Sequence, residues 1–154
     1  LGGNSRYRGL EASASGEFGR HWSAVASLLL LDATIDSVGA ANAAELGKIP
    51  ENTPRRTLSL FGEYRVPQLP GLALNAGAYH VGKRAVNNLN QAFVGSYTTV
   101  SLGARYATRF AGQRVTLQAN LDNATDRDYW ATAGNGLLGT GAPRTLRVAA
   151  KFDL

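Results

Sequence analysis

Apolar and polar residues alternate with a period of two along most of this chain, and that alternation limits the fold more than any other feature. Successive side chains of a strand point to opposite faces, so such a pattern describes strands with one apolar and one polar face. Seven segments carry it, at about residues 5–16, 21–36, 56–66, 72–82, 96–109, 114–122 and 143–153. In the sixth, Val115, Leu117, Ala119 and Leu121 alternate with Thr116, Gln118, Asn120 and Asp122. In the last, Leu146, Val148, Ala150 and Phe152 alternate with Thr145, Arg147, Ala149, Lys151 and Asp153. The third sets Leu58, Leu60, Gly62 and Tyr64 against Ser59, Phe61, Glu63 and Arg65; only VASLLLLDATI in the second blurs the pattern. The longest apolar run, Leu28 to Leu31, is far short of the roughly 20 residues a membrane-spanning helix needs.

Alternation alone suits a soluble β-sandwich equally well. The connections separate the two. They run short, long, short, long, short, long: Glu17–Arg20, Ser37–Arg55, Pro67–Gly71, Lys83–Gly95, Ala111–Gln113 and Asn123–Ala142. Short turns on one rim and long loops on the other are how outer-membrane barrels are built, whereas a sandwich does not sort loop length by parity. Strand-end aromatics fall into two sets, Phe18, Trp22, Tyr106, Phe110 and Phe152 at the short turns, and Tyr7, Tyr97, Tyr129 and Trp130 at the long loops. Two interfacial belts are the expected result. The polar face carries Glu11, Glu63, Arg65, Arg105, Gln118, Asn120, Asp122, Arg147 and Lys151 at or near mid-strand. So many charges on one face imply a wide, wet lumen rather than one packed with side chains.

The chemistry of sites is sparse. There is no Cys, which removes disulfides and thiolate catalysis. The formal charge of +5 comes from 13 Arg and 3 Lys spread without a basic run, so nucleic acid is not an expected partner. The two His residues, His21 and His80, sit on opposite rims, with His80 outward by parity, and make neither a triad nor a metal cluster. No catalytic residue, metal site or cofactor is expected. Asp122, Asp126 and Asp128 lack the Gly and closing Glu of a calcium loop; Asn123 and Asp126 are expected to organise a turn instead. Arg55, Arg56, Lys83, Arg84, Arg127 and Arg144 lie at the long-loop rim, where they could draw in an anionic ligand or meet lipopolysaccharide phosphates. No signal-peptide pattern stands at Leu1, so an exported protein beginning there is expected to have been processed or truncated.

Several stretches, in order, resemble those of TonB-dependent receptors, most closely the ferric-siderophore branch. LQANLDNATDRDYW (Leu117 to Trp130) is similar to that family's N-x-x-N-L-F-D-x-x-Y signature through Asn120, Leu121, Asn123, Asp126 and Tyr129, with Ala124-Thr125 where Leu-Phe is usual. SYTTVSLGARY resembles its P-x-Y-x-x-V-D strand, with Ser101 where Asp is common, and YRGLEASASGEF its R-G-x-E strand. NTPRRTLSLFGEY, LALNAGAYHVGKR and GAPRTLRVAAKFDL resemble three further strands, the last of them terminal. Arg147, Ala149, Phe152 and Leu154 approximate the ending read by barrel-assembly machinery, with Ala149 for Gly and Leu154 for Phe.

The resemblance implies an all-β fold in which residues 1–154 supply the last seven antiparallel transmembrane strands of a 22-stranded outer-membrane barrel. It implies import of a ferric siderophore as cargo, energised through TonB, ExbB and ExbD by an N-terminal plug and TonB box that no stretch here resembles. It places Glu11, Glu63, Arg105, Gln118, Asn120 and Arg147 toward the lumen. A receptor for haem, cobalamin or oligosaccharide, and a small self-contained barrel acting as enzyme or adhesin, are the alternatives. Seven strands count against a small closed barrel, because bacterial single-chain barrels have even strand numbers.

Overall fold

The computed structural model describes residues 3–153; Leu154, the expected last residue of the assembly ending, lies outside them. Eleven strands follow in chain order: β1 Asn4–Phe18, β2 Trp22–Ser37, β3 Arg56–Arg65, β4 Leu72–Val81, β5 Arg84–Ala85, β6 Phe93–Val94, β7 Tyr97–Phe110, β8 Gln113–Asp122, β9 Trp130–Gly134, β10 Leu137–Thr140 and β11 Thr145–Asp153. Seven of them form one sheet in the order β1-β2-β3-β4-β7-β8-β11, every neighbouring pair antiparallel. These are the seven segments that alternation marks. The four short strands form two hairpins, β5 with β6 and β9 with β10, inside two of the connections read as long loops, and a 3-10 turn spans Ala40–Glu45 in a third.

Register keeps the two faces apart across the whole sheet. On one face a row runs Ala24, Gly62, Ala76, Leu102, Leu121, Leu146 over six strands. The corresponding row on the other face runs Ser23, Glu63, Asn75, Gly103, Asn120, Arg147. A slip of one residue would exchange the faces, so the alternation itself fixes the pairing. The apolar face is uncovered: Leu60, Leu102, Leu146 and Val148 are all exposed, Val148 by 73%. A soluble monomer rarely shows so much contiguous apolar surface, whereas a barrel wall against hydrocarbon requires it.

Where the sheet meets its short turns, the apolar face carries Phe18, Trp22 and Tyr64 side by side in register, with Tyr106 farther along; the Trp22 and Tyr64 rings lie 4.5 Å apart. That belt is as expected, with Tyr64 an addition. The opposite belt is not. Tyr7 and Tyr97 pair with Ala33 and Val81 on the polar face, and Tyr97 stacks on Tyr129 with centroids 4.2 Å apart. Parity decides which side a ring faces, and nearness to a rim does not.

Most of the small core lies at the long-loop end, with Ala73 and Val115 buried toward the other rim. Ala33, Ile35, Val81, Ala85, Val94, Ala133, Arg84 and Asn123 are buried there, where the connections fold against the sheet.

Candidate functional site at the long-loop rim

Two regions bear polar chemistry: the polar face and the three long connections. On the face, Glu63 accepts Arg105 at 3.4 Å from across β4 and lies 3.9 Å from Arg65, which also pairs with Glu17. Arg147 meets Asp122 at 2.6 Å. Gln118 sits beside Arg105 in register, and Asn120 beside Arg147. Glu11 shares this face through its pairing with Leu29. The six residues expected to look into a lumen thus share one side of the sheet. The arginines in these pairs are about half exposed or more, so solvent screens each pair and it serves to neutralise the face more than to hold it.

The connections spanning 38–55, 82–96 and 123–144 are bonded to one another. Asn90 grips Ile49, accepting from its N–H at 2.9 Å and donating to its carbonyl at 2.7 Å. Asn88 accepts from the Glu51 amide at 2.9 Å, and the Asn52 amide donates to the Ala85 carbonyl at 3.0 Å. Asn52 Oδ1 accepts from the Ala133 amide at 3.2 Å, and Glu51 Oε2 from the Asn135 amide at 2.7 Å. Asn52, Asn90 and Asn135 all have positive φ, a conformation in which Asn is several-fold enriched. These asparagines are what the sequence reading missed; their only signal was their place in long, turn-rich connections.

The six rim cations differ in placement. Arg84 is a correction: expected at the solvent rim, it is 4% exposed. Its Nη1 donates to Asn52 Oδ1 at 3.0 Å and to the Ala131 carbonyl at 2.6 Å, its Nη2 donates to the Trp130 carbonyl, and its guanidinium lies 5.5 Å from the Tyr97 ring centroid. Lys83 is exposed, with its ammonium 5.3 Å from the Phe93 ring centroid. Arg55, Arg56 and Arg127 are exposed. Arg56 pairs in register with Leu30 on the apolar face, and so does not share the lumen side. Arg144 lies 3.5 Å from Asp126.

The turn after β8 forms as expected. Asn123, buried and at positive φ, donates to the Arg127 and Ala142 carbonyls at 2.9 and 3.1 Å and accepts from the Arg127 amide at 2.9 Å. Asp126 accepts from the Arg144 amide at 3.2 Å. Two of the three aspartates considered for a calcium loop, Asp122 and Asp126, are thus turned toward arginines. His80 sits on the apolar-face parity, 2.9 Å from the Thr98 hydroxyl, and His21 lies at the other rim beside Tyr64.

Comparison with known proteins agrees with this architecture. The chain is 28% identical over 155 residues to the ferrichrome receptor FcuA of Yersinia enterocolitica, covering 98% of this chain and 20% of that protein. It is 28% identical over 148 residues to the ferric-pyoverdine BN7/BN8 receptor of Pseudomonas putida, covering 95% and 17%. Among solved structures, BauA, the ferric preacinetobactin receptor of Acinetobacter baumannii, superposes with a TM-score of 0.89 at 29% identity, over 99% of this chain and 22% of that one. The chain therefore spans about a fifth of the length of these relatives. Residues 1–124 match the family described as TonB dependent receptor-like, beta-barrel. With an uncovered apolar face, a neutralised polar face and loops sorted to one rim, the chain belongs to the TonB-dependent receptor β-barrel family of the outer membrane.

Proposed function

We propose that this chain is the C-terminal wall of an outer-membrane importer that binds a ferric siderophore and passes it inward with energy supplied by TonB, ExbB and ExbD. The observation that carries the reading is the polar row Glu63, Asn75, Gly103, Asn120, Arg147 behind an uncovered apolar face. Such a wall has lipid on one side and a wet passage on the other. The relatives named for ferrichrome and ferric pyoverdine support the cargo class. The siderophore is cargo, with no resident cofactor, and the reading contains no catalytic step.

In this reading Arg55, Lys83, Arg127 and Arg144 ring the outer mouth and attract an anionic ferric chelate, while Arg56, on the lipid side, meets lipopolysaccharide phosphate. Uptake of an iron-labelled anionic siderophore by cells carrying the intact receptor tests this. Lys83→Glu and Arg127→Glu should slow capture at low salt, and Arg109→Glu, at the opposite rim, should leave it unchanged. Equal responses in all three would remove the steering role, and no uptake of any ferric chelate by the unmutated receptor would overturn the importer.

A further inference from the structure

We propose that the three long connections form one rigid wall of the mouth, and that Arg84 is the positioning residue that ties them together. Every pair of connections is bonded directly. Asn90 with Ile49, Asn88 with Glu51 and Asn52 with Ala85 join the first to the second. Asn52 with Ala133 and Glu51 with Asn135 join the first to the third. The Gly136 amide donates to the Val86 carbonyl at 3.3 Å, joining the second to the third. A closed triangle of this kind does not let one loop swing out without breaking bonds to both others.

Among the described residues the Asn52 and Arg84 side chains are each shown bonding into both other connections, and Arg84 reaches Asn52 in the first and Trp130 and Ala131 in the third. Its burial makes those bonds consequential. Truncation would leave the Trp130 and Ala131 carbonyls without the donors they have here and Asn52 Oδ1 with the Ala133 amide alone, all at partly buried bonds. Its Nε is buried without a partner, so the fork is held for its Nη contacts at a cost elsewhere on the same group. Below it the Tyr97 ring, stacked on Tyr129, links the tie to the first residue of β7. A steering charge needs an open path to solvent, which this guanidinium lacks.

Fork geometry and charge are separable. Arg84→Lys keeps the charge but supplies a compact ammonium that cannot span three oxygens as the planar guanidinium does. The consequence for cargo rests on the importer reading, whereas the loop coupling does not, and the experiment requires no ligand. Amide hydrogen exchange is measured on the intact receptor in detergent micelles for the unmutated protein, Arg84→Lys, Arg84→Ala and Asn52→Ala. Exchange at Glu51, Ala133 and Gly136, in connections other than Arg84's own and at residues it does not bond, should accelerate together by about tenfold or more in all three variants. Ladder amides between β3 and β4 should keep their protection, which also reports that the variant is folded. Asn52→Ala, which deletes an acceptor used from two loops, carries the test if Arg84→Ala does not assemble. Acceleration confined to residues 82–96, or an Arg84→Lys protein indistinguishable from the unmutated one, would overturn the proposal.

Discussion

Leu117 and Gln118 are adjacent in the chain and belong to different solvents. Leu117 lies on the uncovered apolar face near the middle of β8, and Gln118 beside Arg105 on the polar one. Arginine at 117 should destabilise the intact barrel by roughly 2–4 kcal/mol, and arginine at 118 by far less. Equilibrium unfolding from lipid vesicles checks the pair, and equal losses would contradict the assignment of faces. Gly103 is set by its neighbours in a different way. A Cβ there would lie 2.5 Å from Asn75 Oδ1 and 2.6 Å from Asn120 Oδ1, because both amides lean over the glycine from flanking strands. Gly103→Val should therefore cost on the order of 1–3 kcal/mol in the same unfolding assay, through displaced amides rather than through lipid. Arg84 could not be read at this scale. Its neighbours in sequence, Lys83 and Ala85, say nothing of Trp130 or Asn52, whose backbone and amide surround it.

At the scale of elements, the seven long strands end within two residues of where alternation placed them, because period two persists across each and turn residues stop it. The hairpins β5–β6 and β9–β10 were not legible. Strands of two to five residues carry too few alternations to stand out, and these are fixed by contacts between distant loops. The tight turn between β7 and β8 contains a local conflict. Ala111 has φ of +51° and Gly112 of +82°, so a non-glycine residue without a polar side chain occupies a left-handed position. Asparagine tolerates that conformation better and is favoured at the first position of such turns. Ala111→Asn should stabilise the β7–β8 hairpin by roughly 0.5–1 kcal/mol, seen as a higher midpoint in the unfolding transition. A lower midpoint would mean that Ala111 has a packing role its geometry does not show.

For the molecule as a whole, strand parity sets the constraint. Seven antiparallel strands leave the two outermost, β1 and β11, running in the same direction, both from the long-loop rim to the short-turn rim. Closing the sheet on itself would need a parallel pair, and joining copies of the same membrane orientation would need one at every seam. An all-antiparallel barrel therefore requires an odd number of further strands between these edges. Left open in lipid, each unpaired backbone group along β1 and β11 costs several kcal/mol. These 154 residues refolded alone in micelles should accordingly associate through their edges and bind ferric chelates negligibly. Sedimentation checks the first and iron-chelate titration the second. A monomer whose β1 and β11 amides are all protected from exchange would show that the sheet closes unaided.

The sequence by itself determined the strands, their two faces and the sorting of loops by rim, since each follows from local period, composition and spacing. It also determined the Asn123 turn, whose first donors and acceptors lie within four residues of one another. Only the tertiary structure decided that Tyr97 turns inward onto Tyr129, that Arg84 is buried, and that three loops separated by whole hairpins are bonded into one body. Those outcomes depend on pairs more than 30 residues apart, such as Asn52 with Arg84 and with Ala133. No period along the chain records such a pair, because folding brings its members together after the strands have set their distance.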